Sequence, residues 1–170
     1  MQIRLATHDD LPALLALVRR VVPLMRAAGN LQWDENYPDE TVFRRDIDMK
    51  QLWICEINGE IGTAIAGVAA LTMDQEPDYA QVDWDINEPA VVVHRLAVDP
   101  AFRGAGVASA LMEKAEEIAV SRGIPVLRVD TNTQNEATQR LFPKLGYQLA
   151  GEISLAFRPG LRFFCYEKRL

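Results

Sequence analysis

The chain has 170 residues, 49% of them hydrophobic and 25% charged, with a formal net charge of −6. That size and apolar fraction allow one substantial core and little more, so a single domain over residues 1–170 is expected. The acidic balance argues against nucleic acid as a partner. No apolar run approaches the ~20 residues of a membrane span, and the opening MQIRLATHDD has no apolar signal region, so a soluble, cytoplasmic chain without a membrane partner is expected.

Taken in chain order, Ile3 to Ala6 predicts a short strand, and Thr7 with Asp10 three residues later predicts a helix start. Leu11, Leu14, Leu15, Val18, Val21 and Val22 give that helix one apolar stripe, which Pro23 should disturb. Asp39, Glu40 and Thr41 open a second, short helix carrying Val42, Phe43 and Ile47. Leu52 to Ile57 and Gly62 to Leu71 read as a hairpin turning at Asn58-Gly59. An acidic, irregular loop follows from Thr72 to about Pro89. Val91 to Val98 is a β-branched strand interrupted by His94 and Arg95, ending near Asp99 because Pro100 cannot donate to a ladder.

Beyond the glycines at 104 and 106, Val107, Leu111, Ala115 and Ile118 recur at helical spacing until Arg122-Gly123-Ile124-Pro125 stops the helix. Val126 to Val129 is a strand, Asn135 to Lys144 a helix, and Tyr147 to Ala150 and Arg162 to Glu167 the last strands. The order β-α-α-β-β-β-α-β-α-β-β predicts an α/β (α+β) fold, a mixed, mostly antiparallel sheet of about seven strands with helices on both faces. Cys55 and Cys165 both sit in apolar, strand-like runs, which suits packed, reduced thiols better than a disulfide. Neither the cysteines nor the two histidines have metal-ligand spacing, so no metal is expected.

The chemistry concentrates between Val91 and Ala108. A strand breaks into Asp-Pro, an arginine and two close glycines, and a helix begins at once, so several free backbone amides and a helix dipole meet at the strand mouth. An anion is the expected guest. The chain has no GxxxxGK[ST], and this segment lacks the third glycine of a dinucleotide fingerprint. Arg103-x-x-Gly106-x-Ala108, directly after LAVDP, resembles the (Q/R)xxGx(G/A) acetyl-CoA signature of the GNAT superfamily of N-acetyltransferases. Asn135-Glu-Ala137 followed by Leu141, Phe142, Lys144, Leu145, Gly146 and Tyr147 is similar to the later segment of that family. Residues 30 to 90 match it weakly.

The resemblance implies a sheet splayed between the strand ending at Val98 and the strand from Val126 to Asp130, with acetyl-CoA in the gap. Main-chain groups of Leu96, Ala97 and Val98 would pair with the pantetheine. Amides across Arg103, Gly104, Ala105, Gly106, Val107, Ala108 and Ser109 would hold the diphosphate and Asn135 would lie near the sulfur; Thr131 and Asn132 are candidate neighbours that match no firm motif of the family. Net charge of −6 repels CoA, so binding must rest on these amides and Arg103.

An amine must lose its proton before it attacks a thioester, and His94, two residues before Leu96, is the candidate base. H-x-L-A-V resembles arylalkylamine N-acetyltransferases; a histidine packed within the sheet is the competing reading. Where many relatives carry a tyrosine as general acid this chain has Phe142, which cannot give a proton. Tyr166, Cys165 and Tyr37 are the substitutes, with Tyr166 the candidate acid and a covalent route through Cys165 the mechanistic alternative. For the acceptor, the segment Gln32 to Pro38 and the acidic loop combine aromatics with carboxylates; Trp33, Glu35, Tyr37 and Trp84 are the candidate contacts for a cationic amine, against a merely solvated acidic loop.

The expected function is transfer of acetyl from acetyl-CoA to a primary amine by direct attack, on a small cationic acceptor. A protein N-terminal or lysine acetyltransferase and a non-catalytic CoA sensor are the alternatives. A homodimer stays open.

Overall fold

The computed structural model describes residues 1–59 and 62–170. Seven strands form one sheet in the order β1-β2-β3-β4-β5-β7-β6. They are β1 (Gln2–Leu5), β2 (Leu52–Gly59), β3 (Gly62–Thr72), β4 (Val91–Val98), β5 (Val126–Asn132), β6 (Gln148–Ser154) and β7 (Arg162–Arg169). Every neighbouring pair is antiparallel except β4 with β5, as a mixed, mostly antiparallel sheet requires. Four helices flank it: α1 (Leu11–Ala27), α2 (Glu40–Asp48), α3 (Val107–Arg122) and α4 (Glu136–Lys144).

Strand alternation explains the layering. Val91, Val93, Leu127 and Val129 point to the face covered by α3 and α4 and form one core with Leu111, Met112 and Phe142. Ile54, Val68, Ala70 and Ala97 point to the other face and pack under α1 and α2 against Leu14, Leu17 and Phe43. The rest of that second face, around Val92, Val126, Phe163 and Cys165, is closed by Tyr79 from the loop between β3 and β4.

Two local readings of the sequence differ from the structure. Helix α1 continues through Pro23 to Ala27, because Pro23 lies on the solvent side, where the carbonyl it deprives of a partner can be hydrated. Asn58 and Gly59 are not the hairpin turn: they are paired strand residues opposite Thr63 and Gly62, and the connecting residues 60 and 61 lie outside those described.

The feature that shapes the site is an irregularity in β4. Val68 of β3 faces Ala97, yet Ala70, two residues on, faces His94, three residues back. The extra residue makes a β-bulge, and Arg95 within it takes a left-handed φ of 54°. On its other side β4 pairs with β5 only from Val91 to Val93. Beyond the bulge the two parallel strands separate.

The start of α3 is set against β3 by a missing side chain. A Cβ on Gly67 would lie 2.5 Å from Val107 Cγ1 and 3.0 Å from the Ala97 carbonyl oxygen. Gly67→Ala should therefore destabilise the protein by about 1–3 kcal/mol through overpacking. Urea denaturation measures this as a lower midpoint at unchanged slope.

Candidate active site

The separation of β4 from β5 leaves two connected hollows. The larger, of about 510 Å³, runs along the free edge of Leu96, Ala97 and Val98 to Arg103, Gly104 and the first turn of α3, with α4 as its opposite wall. Asp99 fixes the bend: its carboxylate accepts from the Ala101 amide at 2.9 Å and from Arg20 Nε at 2.9 Å. Gly104 and Gly106 both have φ of 80°, where a side chain is strained, and nothing lies within 4 Å of a Cβ at either. The first backbone bond of α3 runs from the Ala110 amide to the Gly106 carbonyl at 3.0 Å. The amides of Val107, Ala108 and Ser109 thus lack helical acceptors and sit at the positive end of the helix dipole. Of the positions predicted for the acyl donor, Ala105 alone does not line this hollow; Asn135 does, as the N-cap of α4 accepting from the Thr138 amide at 3.4 Å.

The smaller hollow, of about 80 Å³, sits in the mouth of the splay. His94 and Arg95 reach it from β4, Asp130 and Thr131 from β5, Tyr37 from the segment after α1, and Glu76 from the β3–β4 loop. Leu96, Asn135 and Thr138 line both hollows and mark their junction. His94 Nε2 lies 3.1 Å from the Asp74 carbonyl, which can only accept, so Nε2 carries the proton and Nδ1 holds the lone pair in the neutral ring. Burial raises the Asp130 carboxyl above the usual range, opposed by a 2.6 Å hydrogen bond from the Tyr79 hydroxyl and by His94. Burial likewise raises Glu76, against the attraction of His94. Among the described residues neither carboxylate forms a salt bridge with a cation, whereas Arg95 is neutralised by Asp46 at 2.7 and 2.9 Å.

The sequence matches the model of the Acetyltransferase (GNAT) family over residues 20–147. This chain belongs to the GNAT acetyltransferase family. It is 28% identical over 159 residues to an acetyltransferase of Pectobacterium atrosepticum, covering 93% of this chain and 95% of that one. A GNAT-family acetyltransferase from Streptococcus agalactiae superimposes with a TM-score of 0.83 at 26% identity, covering 99% and 95% of the two chains. The fold is also that of the yncA protein of Salmonella typhimurium, solved with its cofactor acetyl-CoA, at a TM-score of 0.69 and 20% identity over 100% and 94% of the chains. As a GNAT member the protein is an acetyl-CoA-dependent acyltransferase.

The other sequence-predicted site residues of this GNAT acetyltransferase are distributed unevenly. Tyr37 lines the small hollow, and Trp33 also reaches it although it is otherwise core, 4% exposed. Glu35 is exposed and outside it. Trp84 is elsewhere: its ring stacks edge-on to Tyr79 and lies under the Arg128 guanidinium at 4.7 Å, so its role is to hold the loop. Tyr166 packs in the α3–α4 core with its ring 5.3 Å from Phe142 and lines neither hollow. Cys165 is fully buried beside Tyr79 and Phe163, its thiol pushed up by burial, and it too is outside both hollows, which removes the geometric basis for a covalent route. Sequence reasoning missed Glu76, Asp130 and Thr138. The one signal available was the acid Asp130, directly after Val129 at the end of the strand run VLRVD.

Because folding raises the Asp130 carboxyl, the folded state holds that proton more tightly than the unfolded chain does. Stability is therefore lost as pH rises from the unfolded value through the folded one, and the penalty is complete above the latter. Asp130→Asn, whose amide oxygen can still accept from Tyr79, should melt at a higher temperature than the parent at pH 7. The difference should vanish below about pH 3.9, the unfolded carboxyl value, in thermal melts across pH.

Proposed function

We propose that the protein acetylates the primary amine of a small cationic acceptor by direct attack on acetyl-CoA, with no acyl-enzyme. One observation carries this reading: two carboxylates without cationic partners among the described residues, Asp130 and Glu76, lie in a small hollow walled by Tyr37, Phe142 and Phe157 beside the junction with the larger groove. Carboxylates within aromatic walls favour an ammonium through ion pairing and cation–π attraction. The small volume, with Trp33 also in its wall, supports a small molecule over a protein N-terminus or lysine.

In this reading the unpaired edge of Leu96 to Val98 hydrogen-bonds the pantetheine arm, and the amides from Arg103 to Ser109 hold the diphosphate. His94 Nδ1, directly or through a water, takes one proton from the bound ammonium. The free amine attacks the thioester carbonyl, the C–N bond forms, and the tetrahedral adduct expels the thiolate.

Gly106→Glu, which places a strained side chain and a negative charge at the diphosphate position, should abolish CoA binding in calorimetry; an unchanged affinity removes the loop from this role. His94→Ala should lower kcat by about 100-fold, the usual worth of a positioned base, without changing CoA affinity. Thiol release with a panel of primary amines tests the acceptor. Cationic arylalkyl and alkyl amines should turn over and their neutral or anionic analogues should not, whereas CoA binding with no release for any amine would identify a sensor.

A further inference from the structure

The leaving thiolate needs a proton, and the residue that many relatives use for it is replaced here by Phe142. Phe142 is 1% exposed and packs between Tyr147 and Tyr166, so the position serves the core. One helical turn before it on α4, on the same face, stands Thr138. Its Oγ1 is 2.7 Å from Oγ1 of Thr131 on β5 and 3.0 Å from the Asn135 carbonyl. Thr131, 3% exposed, lines the small hollow only, while Thr138 lines both. Among the described residues, Thr138 carries the one side-chain hydroxyl common to the two hollows.

We propose that the Thr131–Thr138 hydroxyl pair carries the second proton of the reaction from the acceptor nitrogen to the departing sulfur. This rests on acetyl transfer at the junction, as proposed above. Two hydroxyls in contact share one hydrogen bond, so the pair can run in either direction. With Thr131 donating to Thr138 and Thr138 to the Asn135 carbonyl, a lone pair of Thr131 faces the acceptor side. After attack, the N–H⁺ of the tetrahedral adduct gives its proton to Thr131, Thr131 passes its own to Thr138, and Thr138 turns its proton from the Asn135 carbonyl to sulfur. The C–S electron pair goes to sulfur and the nitrogen's proton is delivered there. Both hydroxyls are restored and no further reactant is needed. His94 removes the first proton and the threonines move the second.

The test uses Thr138→Val, Thr138→Ser and Thr131→Val, with 2-phenylethylamine as the acceptor probe. The first readout needs no acceptor: the thiolate of bound CoA is titrated by its ultraviolet absorbance. A charge-assisted hydrogen bond from Thr138 should make the bound thiol ionise about one pH unit lower in the parent and in Thr138→Ser than in Thr138→Val. Thr131→Val should leave that titration unchanged. Both valine variants should lose about 100-fold in kcat, and the curved dependence of kcat on the D₂O fraction should become linear. Thr138→Ser should restore rate and curvature. Wild-type kcat and an unshifted thiol titration in Thr138→Val overturn the relay. A shifted titration alongside no turnover of any amine upholds the thiolate contact and overturns the acceptor assignment instead.

Discussion

The bulge at Arg95 is the constraint on which both hollows depend. A non-glycine residue at φ 54° costs on the order of 1 kcal/mol and persists only where its surroundings over-determine it. Here the guanidinium of that same residue is clamped by Asp46 of α2 through two hydrogen bonds, with Asp46 only 2% exposed. A buried ion pair adds little net stability, because desolvating both charges offsets much of their attraction. Its consequence is geometric. The pair fixes where β4 turns away from β5, and through the 3.4 Å contact of Arg95 with the Tyr37 hydroxyl it draws the segment after α1 over the same opening.

Once the strands part, the face of the sheet left open must be covered without filling the gap, and the β3–β4 loop does this. A loop of that length is entropically costly to order, and most of the ordering converges on one side chain. Arg128, with no exposed surface, donates to Gln75, to the Asp85 carbonyl at 3.0 Å and to Glu167 at 2.9 Å, and stacks on Trp84. Glu88 then ties the loop to Arg169 at 2.8 and 2.9 Å. What this anchoring delivers is Glu76 in the small hollow and the Asp74 carbonyl that sets the His94 tautomer. Rigid strands present the histidine; the loop decides which of its nitrogens holds the lone pair.

The elements were legible where a periodicity forces a choice of face. The stripe from Leu11 to Val22, the β-branched run of β4 and the glycine stop after Arg122 all specify their structure locally. The glycine loop was legible as a strand-to-helix turn with free amides because two glycines at positive φ lead straight into the first turn of α3. Asn58-Gly59 misled because cross-strand pairing extended β2 and β3 beyond a turn the dipeptide would otherwise make, a tertiary gain over a local preference. Trp84 read as an acceptor contact because aromatic and acidic residues cluster around it. Its true partner, Arg128, is far along the chain and fully buried between Leu127 and Val129 in β5. Glu76, Asp130 and Thr138 come together only through the splay, so no spacing in the chain could announce them.

The charge distribution follows the same division. A chain of net charge −6 repels CoA at long range, so on the proposed reading the donor side would rely on the fixed dipole and orphan amides of α3, whose effect is confined to the first turn. The acceptor side uses the overall field instead of opposing it: Asp130 and Glu76 add negative charge where a cation would enter, and the one strong cation among them, Arg95, is cancelled by Asp46. On the proposed reading, two substrates of opposite charge would find sites of opposite polarity on either side of one gap in the sheet. The junction between them is lined by Leu96, Asn135 and Thr138, none of which carries a formal charge. Proton movement there is left to hydroxyls, which can reorient without ionising, and this keeps the electrostatics of each side independent of the progress of the other.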